Sequence, residues 1–219
     1  MVEKHNPEAY HLQSHVAIRI VERMRVRAIL KAVNGQGGGS ILEVGCGAGN
    51  VLEGIRNARL VGIDLSSRMV RRTKERLSSK PVTVIQADAE SLPFKPSFFD
   101  GIICTEVIEH VQDPDQTLQE IWRVAKPSAK IAISLPNEAL INRVKDLVIR
   151  LGLARFLFHG KYEVPERMND EWHLHVFDLK DFLRKLSPRF RVEKVTSIPS
   201  PLLPLRYVIA CTPRKDPLA

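Results

Sequence analysis

One short stretch, Ile41-Leu42-Glu43-Val44-Gly45-Cys46-Gly47-Ala48-Gly49-Asn50, constrains this chain more than any other. Apolar residues with one embedded acid, then Gly-x-Gly-x-Gly, suit a buried strand that turns sharply. Glycine tolerates positive φ and lets a ligand approach the backbone with no Cβ in the way. A glycine loop alone is common to several nucleotide-binding folds, so its neighbours decide. Val61-Gly62-Ile63-Asp64 reads as a second buried strand ending in an acid, about 20 residues on, where a Rossmann-like unit places its ribose acceptor. Val82 to Ala89 is a third strand, with Asp88 at its end, and Phe99 to Cys104 a fourth.

From about Ser40 to Asn137 these motifs, in this order and spacing, resemble the class I S-adenosylmethionine-dependent methyltransferases. The resemblance is nearest to the small-molecule, quinone-pathway-like branch. It rests on Ala87-Asp88-Ala89-Glu90-Ser91-Leu92-Pro93-Phe94 and on the Asp113-Pro114 to Lys126-Pro127 run before strand five. It implies a three-layer α/β sandwich around a seven-stranded, mostly parallel sheet with an antiparallel last strand. It also implies S-adenosyl-L-methionine lined by Glu43, Gly45, Cys46, Gly47, Gly49, Asp64, Leu65, Asp88, Ala89 and Thr105. In that family Glu43 orients the glycine loop and the cofactor's amino end, Asp64 accepts the ribose hydroxyls, and Asp88-Ala89 meets the adenine. Asp64 has a second reading as the N-cap of the helix expected over Ser66 to Leu77.

The rest of the chain fits one domain over residues 1–219, long enough to bury a sizeable core. Ile18, Val21, Met24 (with Arg25), Ala28 and Ile29 recur at helical steps between about Tyr10 and Val33, and Gly35 to Gly39 link that helix to strand one. Residues 1–39 are thus an N-terminal helix and linker. Val51-Leu52-Glu53-Gly54-Ile55 should open a helix whose unpaired amides face a carboxylate. Residues 138–177 read as an inserted cap. Leu140, Val144, Leu147, Val148 and Leu151 share one helical face, and Leu153, Phe156, Leu157 and Phe158 add apolar surface. The cap either folds over an acceptor pocket or touches a membrane through 139–158. Asp178 should cap a helix over Leu179–Leu186, and two final strands, joined by the proline-rich Pro199 to Pro204 stretch, complete the sheet.

Three cysteines without CxxC spacing, a polar amino terminus and no long apolar run point to a reduced, cytoplasmic enzyme, peripheral at a membrane if the second cap reading holds. The net charge of +8 admits polyanionic partners, but its basic residues are spread over several helices without interleaved aromatics. It is read as solvated surface, and nucleic acid is not the favoured partner. Methyl transfer to a hydroxyl needs a proton taken, and His110 and His175 are the candidate bases. On a helical turn Glu106, Glu109 and His110 would share one side, with His175 as a fourth ligand. This resembles metal-dependent RNA 3′-end 2′-O-methyltransferases, so a divalent metal is the alternative to a metal-free site. No Asn-Pro-Pro-Tyr and no Pro-Cys follows strand four, which disfavours amino-group methylation of that type and cytosine-carbon methylation. The reading is therefore methylation of an apolar or amphipathic small molecule at oxygen, against an RNA 3′-end methyltransferase or a non-catalytic cofactor-binding partner subunit.

Overall fold

The computed structural model describes residues 16–33, 38–152 and 174–215. Chain order is α1 (Val16–Val33), β1 (Ser40–Val44), a 3-10 turn (Leu52–Gly54), β2 (Arg59–Asp64), α2 (Ser67–Arg76), β3 (Val82–Gln86) and β4 (Phe99–Thr105). Then follow α3 (Pro114–Val124), β5 (Ala125–Pro136), α4 (Glu138–Arg150), α5 (Leu179–Leu186), β6 (Phe190–Ser200) and β7 (Leu203–Pro213). The strands form one seven-stranded sheet in the order β3-β2-β1-β4-β5-β7-β6. All neighbours from β3 to β5 are parallel, while β7 runs antiparallel to both β5 and β6. The expected sandwich with its closing antiparallel strand is what forms.

Strand periodicity builds the layers. Leu42, Val44, Ile102, Cys104, Ile131 and Ile133 face one way and join Leu118 and Ile121 of α3 with Phe182 and Leu186 of α5. Ile41, Ile103 and Ala132 face the other way and join Ile29 and Val33 of α1 with Val70 of α2 and its C-cap Leu77. Both sheet faces are covered, which explains why the central strands read as continuous apolar runs rather than alternating ones. Capping follows the sequence closely. Ser66 takes the Met69 amide at α2, Asp113 takes the Asp115 and Gln116 amides at α3, and Asp178 takes the Lys180 amide at α5.

Three local expectations change. The helix expected from Val51 is only the 3-10 turn Leu52–Gly54, since Gly54 follows at once and Asn57 adopts a left-handed φ of 57°. The short link between β1 and β2 leaves no room for more. Strand five starts at Ala125, so Lys126-Pro127, expected to precede it, is already strand. The Pro199–Pro204 connection is mostly strand as well, with only Pro201 and Leu202 in the turn between β6 and β7. Of the cap insertion, residues 138–152 and 174–177 are described, and Asn137 caps α4 through the Leu140 amide. The expectations on Leu153, Phe156, Leu157 and Phe158 lie outside the described residues. Among the described residues no helix is long and apolar enough to cross a membrane.

Candidate cofactor and acceptor site

The register brings the carboxyl ends of β1, β2 and β4 side by side, Val44 opposite both Ile63 and Cys104, and that is where a doubly wound sheet binds ligands. Gly45, Gly47 and Gly49 leave β1 with φ of 69°, 49° and 80°. The loop is pinned to β2 by Cys46 N to Ile63 O at 2.8 Å and closed by Gly49 N to Cys46 O at 2.8 Å. Asp64 ends β2 with both oxygens engaged. Oδ2 accepts the Gly47 amide and Oδ1 the Ser66 amide, each at 2.9 Å. Ser66, not Asp64, is the helix cap, so Asp64 instead joins the glycine loop to the start of α2. Ala87 N donates to Asp64 O at 3.1 Å, which sets Asp88 and Ala89 beside it. The Asp88 side chain accepts the Glu90 amide and is exposed, Leu65 is exposed, and Thr105 is buried at the end of β4.

Glu43 is the electrostatic centre. It is buried in the middle strand, and its Oε2 has no hydrogen-bond partner. Burial raises its carboxyl from 4.5 to about 8, while Arg25 and the Leu52 amide pull the other way. Burial also raises Asp64, against the Ser66 and Gly47 amides, and lifts the Cys46 thiol to about 12. Cys46 is therefore an inert packing thiol. A buried carboxylate oxygen without a partner is costly unless a cation or donor meets it. The residues therefore fit a cofactor carrying an ammonium toward Glu43, a small carboxylate along the glycine-loop amides, and a hydroxylated ribose at Asp64.

The sign of the Glu43 shift makes a stability prediction. The folded carboxyl binds its proton more tightly than the unfolded one, so folding takes up a proton between pH 4.5 and about 8. The stability of the cofactor-free protein therefore falls as pH rises through that window. Glu43→Gln should flatten this slope in thermal melts recorded from pH 5 to 9. An unaltered slope would mean that the carboxyl is charged in the fold.

On the acceptor side the sequence missed three residues. Arg25, on the apolar stripe of α1, is buried and grips Glu22 through Nε at 3.0 Å and through Nη2. Its Nη1 reaches Ser134 Oγ of β5 at 3.4 Å, Ser134 Oγ donates to Glu106 Oε1 at 3.0 Å, and Arg206 of β7 holds Glu106 Oε2. This chain runs under the strand ends from the cofactor side to the acceptor side. Glu106 sits at φ 56°, a backbone state that costs a non-glycine residue about 1 kcal/mol or more and collects at functional sites. An arginine on an otherwise apolar helical stripe was the available signal.

The expected helical turn over Glu106 to His110 is instead an irregular turn, with His110 N bonded to Val107 O at 2.9 Å. Glu106 points to Ser134 and Arg206, Glu109 is buried with neither oxygen hydrogen-bonded, and His110 is exposed. Burial, then Glu106, raises the Glu109 carboxyl well above its ordinary range. His175 packs against this turn from the far side of the cap. Leu174 N and His175 N donate to Glu109 O, and His175 Nε2 lies 3.1 Å from Val111 O and 3.3 Å from Gln112 O. Among the described residues no three histidine, cysteine or acidic side chains gather as a metal site. The four-ligand alternative of Glu106, Glu109, His110 and His175 is not assembled, because a non-helical turn and the Arg206 pair separate its members.

Carbonyls only accept, so His175 Nε2 carries a proton and clasps the turn. His175→Ala should raise the acceptor KM about 5-fold, the equivalent of one lost hydrogen bond, whereas His175→Gln keeps a donor and should stay near wild type. Equal and near-complete loss of kcat in both variants would mark a base instead.

A seven-stranded sheet in this order, with a glycine loop after β1 and acids beyond β2 and β3, is the class I methyltransferase fold. Residues 42–133 match the model of the methyltransferase-domain family. Over 131 residues the chain is 33% identical to the demethylmenaquinone methyltransferase of Thermobifida fusca, covering 58% of this chain and 56% of that protein. It is 32% identical over 131 residues to the ubiquinone biosynthesis O-methyltransferase of Methylococcus capsulatus, with 58% and 55% covered. The chain spans just over half the length of the curated relatives it matches. Among solved structures, the N-methyltransferase NodS of Bradyrhizobium japonicum, in complex with S-adenosyl-L-homocysteine, superposes with a TM-score of 0.65 at 17% identity, over 90% of this chain and 88% of that one.

Proposed function

We propose that this protein transfers the methyl group of S-adenosylmethionine to an oxygen of an apolar or amphipathic small molecule. The observation that carries the cofactor half is Glu43 Oε2, buried and unpartnered beside an open glycine loop and Asp64. When bound, the cofactor supplies an electrophilic methyl on a sulfonium. The chain's part is to align the acceptor with that methyl and to take the hydroxyl proton. As the new O–CH3 bond forms and the S–CH3 bond breaks, the bond's electrons stay on sulfur and the hydroxyl proton leaves. His110, exposed on the turn after β4, is the base this reading favours, with His175 holding the turn from behind. Glu106, fixed by Ser134 and Arg206 at the start of that turn, accepts a hydrogen bond from the substrate's polar end.

The acceptor class follows from the apolar rim around the strand ends. Leu147, Ile149 and Leu151 of the cap are exposed, and Leu202 at the β6–β7 tip is 97% exposed. Asn137 ties that tip to the start of α4, with Nδ2 to Pro204 O at 2.9 Å and N to Leu205 O at 2.8 Å. Asn137 thus joins the start of α4 to that tip, and the quinone-pathway names of the relatives agree with an apolar acceptor. Labelled methyl transfer across quinol, phenol, lipid and small-RNA acceptors tests the reading. Label on the quinol, phenol or lipid is expected, and label only on RNA would overturn it.

The same rim suits peripheral contact with a membrane that stores such an acceptor. Leu147→Asp/Leu151→Asp should abolish co-sedimentation with anionic liposomes. Undiminished binding of the variant would remove this contact from the reading.

A further inference from the structure

The fold does something to the chain's charge that sequence order conceals. α1, the 51–58 connection and α2 with its turn through Lys80 lie together on one face of the sheet, as their shared core of Ile29, Val33, Leu52, Val70 and Leu77 requires. These segments hold 12 of the 33 lysines and arginines but only Glu22, Glu53 and Glu75 among the 25 acids. Their net charge of +9 exceeds the +8 of the whole chain, so the remainder is close to neutral. What reads as dispersed basic residues is a single basic layer.

Within it, Arg19, Arg23, Arg27 and Lys31 follow one another at four-residue steps along α1, all exposed and with no ion pair among the described residues. Like charges at that spacing destabilise a helix by about 0.2–0.5 kcal/mol per pair, and Glu22, the one acid on α1, is taken by Arg25. The row runs about 18 Å along the helix. Arg71 and Lys74 of α2 are likewise exposed, with Arg56 on the connection between the two helices. Nine of the twelve basic residues are arginines, whose planar forks match phosphate oxygens better than lysine does.

We propose that this layer binds the phosphate backbone of a nucleic acid, as a docking surface separate from the methyl acceptor. A membrane is the less suitable occupant, because the exposed Leu147, Ile149, Leu151 and Leu202 belong to α4, its C-cap and the β6–β7 turn, outside the segments that form this layer. Among the described side chains of the two helices, Ile20, near the amino end of α1, is the one large apolar group exposed. No tyrosine, tryptophan or phenylalanine belongs to the layer, so it offers charge without base stacking, and binding should be indifferent to sequence.

Fluorescence anisotropy of the full chain with a short labelled RNA and a short labelled DNA duplex tests this, with vesicles of anionic lipid as a parallel arm. Both nucleic acids should bind, and with four phosphate contacts the affinity should fall about 100-fold between about 50 and 200 mM salt. Arg23→Glu/Arg27→Glu and Arg71→Glu/Lys74→Glu should each weaken binding at least about 10-fold while leaving S-adenosylmethionine affinity unchanged and the protein folded. Should a charge reversal perturb the fold, the neutral Arg23→Gln/Arg27→Gln pair decides, with a smaller loss expected. No binding at the lower salt, binding unaffected by these variants, or capture by vesicles alone would overturn the proposal. Because cofactor affinity is read in parallel, failure here is distinguishable from failure of the methyltransferase reading.

Discussion

Asp64→Ala should weaken S-adenosylmethionine binding by about 1.5–3 kcal/mol, or roughly 10- to 150-fold in Kd. The ribose reading supplies part of this, because a carboxylate facing two hydroxyls makes charge-assisted bonds that alanine cannot. The structure adds a second part. Asp64 already receives the Gly47 and Ser66 amides, so its removal also releases the glycine loop from the end of β2. Asp64→Asn separates the two contributions. It keeps an acceptor for one amide but loses the charge, and it should fall between wild type and Asp64→Ala. Calorimetry with purified protein gives all three values. An Asp64→Ala affinity equal to wild type would remove Asp64 from the cofactor site.

Gly45→Ala should be the most damaging small substitution in the loop. Its φ of 69° is left-handed, and a Cβ there would lie 2.3 Å from Val107 Cγ2. Left-handed backbone costs an L-residue about 1–2 kcal/mol and forced overpacking about 1–3 kcal/mol more. The sum is about 2–5 kcal/mol, which in a domain of this size lowers Tm by about 4–20 °C. Val107 belongs to the turn after β4, so the clash also pushes the acceptor side away from the cofactor loop. Gly45→Ala/Val107→Ala should recover the overpacking part and leave the backbone part, a partial rescue in Tm and in cofactor affinity. A single variant as stable as wild type would show that loop and turn are not in contact.

What was legible in the sequence is what is local. A buried strand, its terminal acid and the glycines that leave it are contiguous, so β1 to β4, Asp64 at the end of β2 and the cap at Asp178 could be read directly. The helix expected after the glycine loop failed because the amide-rich turn was assigned a full helix where Gly54 and Asn57 permit only a few residues. The Arg25–Ser134–Glu106–Arg206 chain was illegible for a different reason. Arg25 and Ser134 stand 109 positions apart, and Arg206 and Glu106 stand 100 apart, so only the strand order brings them together. The metal alternative assumed helical spacing in a turn that Glu106's left-handed backbone makes irregular. The basic layer shows the same limit, since charge that looks dispersed along the chain is gathered by two helices packing on one sheet face.

On the proposed reading, the carboxyl ends of β1 to β4 hold S-adenosylmethionine with its reacting end toward the turn after β4. A crystal structure of the protein soaked with S-adenosyl-L-homocysteine tests it most directly. The account predicts the ribose hydroxyls on Asp64, the amino group at Glu43, the carboxylate at the glycine-loop amides and the adenine beside Asp88-Ala89. Density for the nucleoside away from Asp64, or a Glu43 carboxylate still without a partner in the complex, would contradict it.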